Sequence, residues 1–89
     1  MDDRPTTSVA EFEARTGLVL VRDLEIDGVP RSPDRIDVLA DGSVRAHFDG
    51  LGTVVDTVVP VETAGPVVVI ERRLALRGRG RVRPAFGVR

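Results

Sequence analysis

From Leu18 onward the apolar side chains of this chain recur at every second position, the period of an extended strand. That period restricts the fold to β architecture, because a backbone alternating apolar with polar side chains has one face to bury and one to wet. Leu18, Leu20, Leu24 and Ile26 share one side of a half-buried strand whose other side carries Asp23, Glu25 and Asp27; Arg22 is the one polar interruption of the apolar row. Asp27 to Asp34 holds Gly28, Pro30 and Pro33 and reads as a loop, since proline lacks a donor and turns the residue before it away from helix.

Arg35 to Leu39 and Ser43 to Asp49 flank Ala40-Asp41-Gly42 and are expected to form a hairpin. A two-residue Asp-Gly turn would mix apolar and charged side chains on each face. A type I turn with Gly42 in a left-handed bulge instead pairs Leu39 with Ser43 and Val38 with Val44. This register unites Ile36, Val38, Val44, Ala46 and Phe48 on the core side and leaves Asp37, Arg45 and His47 outside. A slip of one residue would reverse every side chain. After a turn at Asp49 to Gly52, the segment Thr53 to Val61 is apolar on both faces, with Val54 and Val58 on one and Val55 and Val59 on the other. Such a strand must be covered twice, by a closed barrel or by a partner, so these four valines are the expected apolar interface. The loop Glu62 to Pro66 leads to a last strand from Val67 to about Arg77. Its buried row is Val68, Ile70, Leu74 and Leu76, and Arg72 breaks that row, with a stem able to lie across apolar surface while its head reaches water.

Helical signals are confined to the start. Residues 1–7 are polar, charged and expected to be mobile. Ser8-Val9-Ala10-Glu11 fits a capping box, and Gly17 can end a helix of two turns near Thr16. The expectation is a mainly β domain over residues 8–77, a small antiparallel barrel or sandwich of about five strands with one short N-terminal helix, followed by an Arg/Gly-rich basic segment over 78–89. The chain has 89 residues and no Cys, so one modest core must hold it by packing alone.

Charge is divided by position. Residues 1–70 carry thirteen Asp and Glu against six Arg, while residues 71–89 carry seven Arg against Glu71. A net charge of −1 thus conceals an acidic body with a basic end. All basic residues are Arg, a usage that a GC-rich codon bias accounts for together with Val, Gly, Ala, Asp and Pro, and that a choice of Arg for phosphate or carboxylate forks would also account for. Arg72, Arg73, Arg77, Arg79, Arg81, Arg83 and Arg89 are therefore the expected partner-binding residues.

Most catalytic chemistry is poorly served. There is no Cys, no motif surrounds the three Ser, and the single His47 beside Asp37 or Asp49 reads as an ordinary surface side chain before it reads as a general base. No spacing of His and Asp suits a metal, Asp23 to Gly28 lacks the later ligands of a calcium loop, and neither Gly78-Arg79-Gly80 nor Gly50-Leu51-Gly52 forms a phosphate cradle. Catalytic residues, cofactor and metal are accordingly expected to be none, with no small-molecule substrate. No apolar run approaches the roughly 18 residues of a membrane span, and the opening Met-Asp-Asp-Arg-Pro-Thr-Thr lacks the basic segment and apolar run of a secretory signal, so a soluble, non-exported protein is expected. The expected role is a non-catalytic structural or protein-interaction module in a larger assembly, in the cytoplasm or in a virus particle assembled there. Its basic end would dock on another copy or another acidic protein. The alternative is a small nucleic-acid-binding regulator using the same arginines on phosphates, a reading weakened by the acidic body and by having only Phe12, Phe48 and Phe86 for stacking.

Overall fold

The computed structural model describes residues 8–59, 68–78 and 80–88. The expected mobile segment 1–7, the loop 62–66, Arg79 and Arg89 lie outside the described residues. One helix, α1 (Val9–Thr16), precedes seven strands: β1 (Leu24–Ile26), β2 (Val29–Arg31), β3 (Arg35–Val38), β4 (Val44–Phe48), β5 (Gly52–Val59), β6 (Val69–Leu76) and β7 (Val82–Pro84). They form two antiparallel sheets, one ordered β2-β1-β7 and one ordered β3-β4-β5-β6. The fold is mainly β as expected. It is not a closed barrel, and it has seven strands where about five were expected.

Both additional strands arise in segments whose composition hides them. Asp27 and Gly28 have φ of 50° and 83°, the paired positive angles of a two-residue type I′ turn, so β2 folds straight back on β1 with Val29 opposite Ile26. The presumed loop is therefore half strand. Pro30 is accommodated because β2 lies at a sheet edge, where its missing donor leaves no bond unmade. On the other side of β1, β7 sets Val82 opposite Ile26 and Pro84 opposite Leu24, and Asp27 N–H donates to the Arg81 carbonyl at 2.9 Å. Residues 80–88 thus run along the domain as part of its smaller sheet. The long strand expected over Leu18 to Ile26 shrinks to three residues; ahead of it a bridge between Leu20 and Val88 and the bonds from Val21 N–H to the Gly87 carbonyl and from Ala85 N–H to the Asp23 carbonyl, each at 3.0 Å, continue the pairing.

The β3–β4 hairpin adopts the bulged register. Val38 faces Val44, Leu39 N–H donates to the Ser43 carbonyl at 2.8 Å, and Gly42 has φ 83°. Val44, Ala46 and Phe48 are buried, and with Leu24 and Val54 the last two form the core, against which Ile26, Leu51, Leu76 and Val82 pack. Ile36 and Val38, expected in that core, are 52% and 64% exposed. They share its face of the sheet, but β3 is an edge strand that the smaller sheet and the helix do not cover. Leu74 and Val68 of the expected buried row are likewise exposed, on the opposite edge.

Helix α1 is seated on the hairpin. The Ser8 hydroxyl accepts from Glu11 N–H at 3.1 Å, Ala10 N–H donates to the Gly42 carbonyl at 3.0 Å, and Val9 is fully buried.

A buried ionic cluster joins the layers. Arg22 and Arg72 both point inward and both bind Asp56: Arg22 Nε donates to Oδ2 at 3.1 Å, Arg72 Nε to Oδ1 at 2.7 Å and Arg72 Nη2 to Oδ2 at 3.0 Å. Glu13 of α1 completes the set, accepting from Arg22 Nη2 at 3.0 Å and from Leu20 N–H at 2.9 Å. The Arg72 fork also donates to the carbonyls of Val21 and Ala85, each at 2.8 Å. Side-chain exposure is 3% for Arg22, 1% for Asp56, 10% for Arg72 and 15% for Glu13. Two cations and two anions therefore cancel inside the fold. The head of Arg72, expected in water, is instead an internal structural ligand.

Candidate protein-interaction site

One face of the larger sheet is covered by the small sheet and helix, and the other is open. Strand alternation sets its residues. Across the sheet run two rows, Asp37-Arg45-Val55-Arg73 and Arg35-His47-Thr53-Ala75, each member directly opposite its neighbour. Over β5 and β6 the surface forms an open groove of about 710 Å³ with Val55, Val58, Val59, Leu74 and Ala75 as its apolar lining and Glu71 and Arg73 among its polar groups. A second depression of about 620 Å³ shares Thr53 and Ala75 with it and extends past Phe48 to Arg77. Arg35, Arg45, Arg73 and Arg77 stand here against Asp37, Asp49 and Glu71. The opposite layer mixes its charges: Glu11, Glu13, Asp23, Glu25 and Asp27 on α1, β1 and the residues beside them lie with Arg15, Arg22, Arg81 and Arg83.

The expected site residues separate accordingly. Val55, Val58 and Val59 line the groove together with Arg73, and Arg77 lies at its extension. Val54, expected in the interface, faces the other way and is fully buried in the core. Arg72 is held inside by Asp56, with its guanidinium carbon 5.2 Å from the centre of the Phe86 ring. Arg81 and Arg83 are exposed beside the smaller sheet, Arg83 opposite Glu25. Arg77, Arg81 and Arg83 make no ion pair among the described residues, whereas Arg73 pairs with Glu71. Thr53, Thr57 and Ala75 also line the groove and were not anticipated, although their parity with Val55 and Arg73 marks them.

At the β3 side, His47 Nε2 lies 2.7 Å from Asp37 Oδ2, and Arg35 and Arg45 approach the same carboxylate at 3.5 and 3.6 Å. Asp37, and not Asp49, is thus the neighbour of the imidazole. With Nε2 protonated, the ring donates to Asp37. That hydrogen bond, with the charge of Arg35 beside it, holds the Asp37 carboxyl below its ordinary 3.8 despite some opposing desolvation. A depressed folded pKa stabilises the native state above 3.8, and the contribution disappears as pH falls through the folded value. In an NMR titration of the side-chain carboxyl carbons, Asp37 will show a midpoint below 3.8 that moves up toward it in His47→Ala; an unchanged midpoint would refute this cause.

Among the described residues no three of His, Cys, Asp and Glu group as a metal site, and no helix is long and apolar enough to cross a membrane. Comparison with protein-family models, with curated proteins and with solved structures gives no match for this chain.

Proposed function

We propose that this domain is a non-catalytic interaction module of a larger protein assembly, such as a virus particle or another multi-subunit complex, and that it docks an acidic protein surface on the open face of β5 and β6. The observation that carries the reading is the apolar groove along Val55 and Val59, flanked by Arg73 and Arg77. Planar guanidinium forks pair with carboxylates at interfaces, and the apolar lining supplies area to bury. Nucleic acid is less well served, because Phe48 is buried and Phe12 half-buried, leaving Phe86 as the one exposed ring.

Point substitutions test the reading better than truncation, since removing residues after Arg77 would delete β7. Titration with a labelled peptide rich in Glu and Leu is expected to show binding that weakens with salt and falls about tenfold in Val55→Asp/Arg77→Glu. Tighter binding to labelled duplex DNA or single-stranded RNA, abolished by Arg77→Glu/Arg81→Glu/Arg83→Glu, would overturn it in favour of a nucleic-acid regulator. Failure to bind either probe would overturn both.

A further inference from the structure

The outer edge of β6 offers a second surface, beside the groove that Glu71, Arg73 and Leu74 of the same strand help to line. β6 is eight residues long, lies at the end of its sheet, and pairs on that edge with no strand among the described residues. Its backbone polarity follows from its neighbour. Arg77 N–H donates to the Leu51 carbonyl at 2.7 Å, and the Ala75 carbonyl is aimed at Gly52. Odd-numbered residues therefore direct their N–H and C=O groups toward β5, and the even-numbered Ile70, Arg72 and Leu74 direct theirs outward.

We propose that β6 pairs antiparallel with β6 of a second copy about a two-fold axis through Arg72, joining two four-stranded sheets into one of eight strands. A two-fold axis perpendicular to the sheet brings only residues of like parity together, which leaves few registers. Centred on Arg72, Glu71 faces the partner's Arg73 and Arg73 the partner's Glu71, both at positions without backbone bonds, where opposed side chains come closest. Ile70 then faces the partner's Leu74 and Val69 the partner's Ala75, which covers Leu74 and Val69, now 40% and 38% exposed. A shift of the axis to Glu71 or to Arg73 sets like charges against each other, and a shift to Ile70 or Leu74 shortens the paired span. The self-complementary charge identifies a second copy as the occupant. An inward charge in mid-strand ordinarily protects an edge from pairing, but here Asp56 neutralises Arg72 within its own molecule.

Light scattering of the full chain is expected to give twice 9.6 kDa. Leu74→Pro removes an outward N–H that β5 does not use, so it leaves the β5–β6 ladder intact and yields a monomer with unchanged circular dichroism. Glu71→Arg and Arg73→Glu, each exposed and each compatible with folding, will weaken the dimer by about tenfold apiece. Mixing these two variants will restore it, because each supplies the charge that the other lacks. A monomeric wild-type chain, a dimer that survives Leu74→Pro, or a mixture that stays monomeric would overturn the proposal. Val55→Asp/Arg77→Glu is expected to leave the dimer in place while weakening peptide binding, so light scattering and peptide titration read the two surfaces separately.

Discussion

Replacing Asp56 with alanine will lower the free energy of unfolding by about 3–5 kcal/mol, a large part of the 5–15 kcal/mol available to a domain of this kind. The carboxylate accepts three N–H groups from two guanidinium groups that are almost wholly out of water. Its removal leaves Arg22 with Glu13 and the Leu20 carbonyl, and Arg72 with two backbone carbonyls. Neither cation can move to solvent without opening the contact between the sheets. Every buried side-chain nitrogen and oxygen among the described residues now has a partner, so the loss is not softened by slack elsewhere. Urea unfolding measures it directly, and Glu71→Ala is the comparison. Glu71 also pairs with an arginine, but at the surface, where such a pair contributes about 0–1 kcal/mol. If the two substitutions shift the midpoint equally, the interior cluster does not have the role described. A second comparison replaces Arg22, Asp56 and Arg72 together with apolar residues of similar volume. This variant is expected to recover much of the loss, because the penalty lies in stranding charge and not in lacking it.

Gly52→Ala will cost about 3–4 kcal/mol, for a different reason. Gly52 opens β5 with φ 143°, a conformation open essentially to glycine alone, and a Cβ there would lie 2.0 Å from the Ala75 carbonyl oxygen and 3.0 Å from the Leu76 Cα. Both obstacles are backbone, so neither can swing aside. Relief requires the β5–β6 ladder to open at the end nearest Phe48 and Leu76. Gly50→Ala separates strain from collision: Gly50 also has positive φ, at 76°, but nothing lies within 4 Å of its Cβ position, and about 1–2 kcal/mol is expected. Thermal unfolding of both variants, with amide chemical shifts along β6, tests the contrast. Equal losses would show that crowding by Ala75 is immaterial.

Much of the larger sheet was legible in the sequence because its pattern is local. Only one hairpin register unites the apolar residues of β3 and β4, and the same register places Asp37, Arg45 and His47 together outside. Parity also marked Val55 and Val59 as one surface. The smaller sheet was hidden by composition: Pro30 and Pro33 mask a strand that an edge position tolerates, and the Arg/Gly content of residues 77–81 masks the approach to β7. Its partner, β1, is more than fifty residues away, beyond any local signal. The ionic cluster left a faint trace. Arg22, Asp56 and Arg72 each interrupt an apolar row, and taken singly each looks like an imperfection. Taken as a set of opposite charges on inward faces, they fit one another, but no periodicity states which finds which. Val54 failed as an interface residue for the same reason, since the helix and small sheet that cover its face come from distant sequence.

The ionic cluster also bears on the order of events in folding. Arg22 meets Asp56 across 34 residues, and Arg72 reaches the Val21 carbonyl across 51. A molecule with only the hairpin and β5 assembled holds a carboxylate facing the dry side of its sheet with no cation to meet it, and a molecule lacking β6 leaves that anion half-answered. Partial structures therefore bear an electrostatic debt that only the complete chain discharges, which favours a single cooperative transition over stepwise assembly.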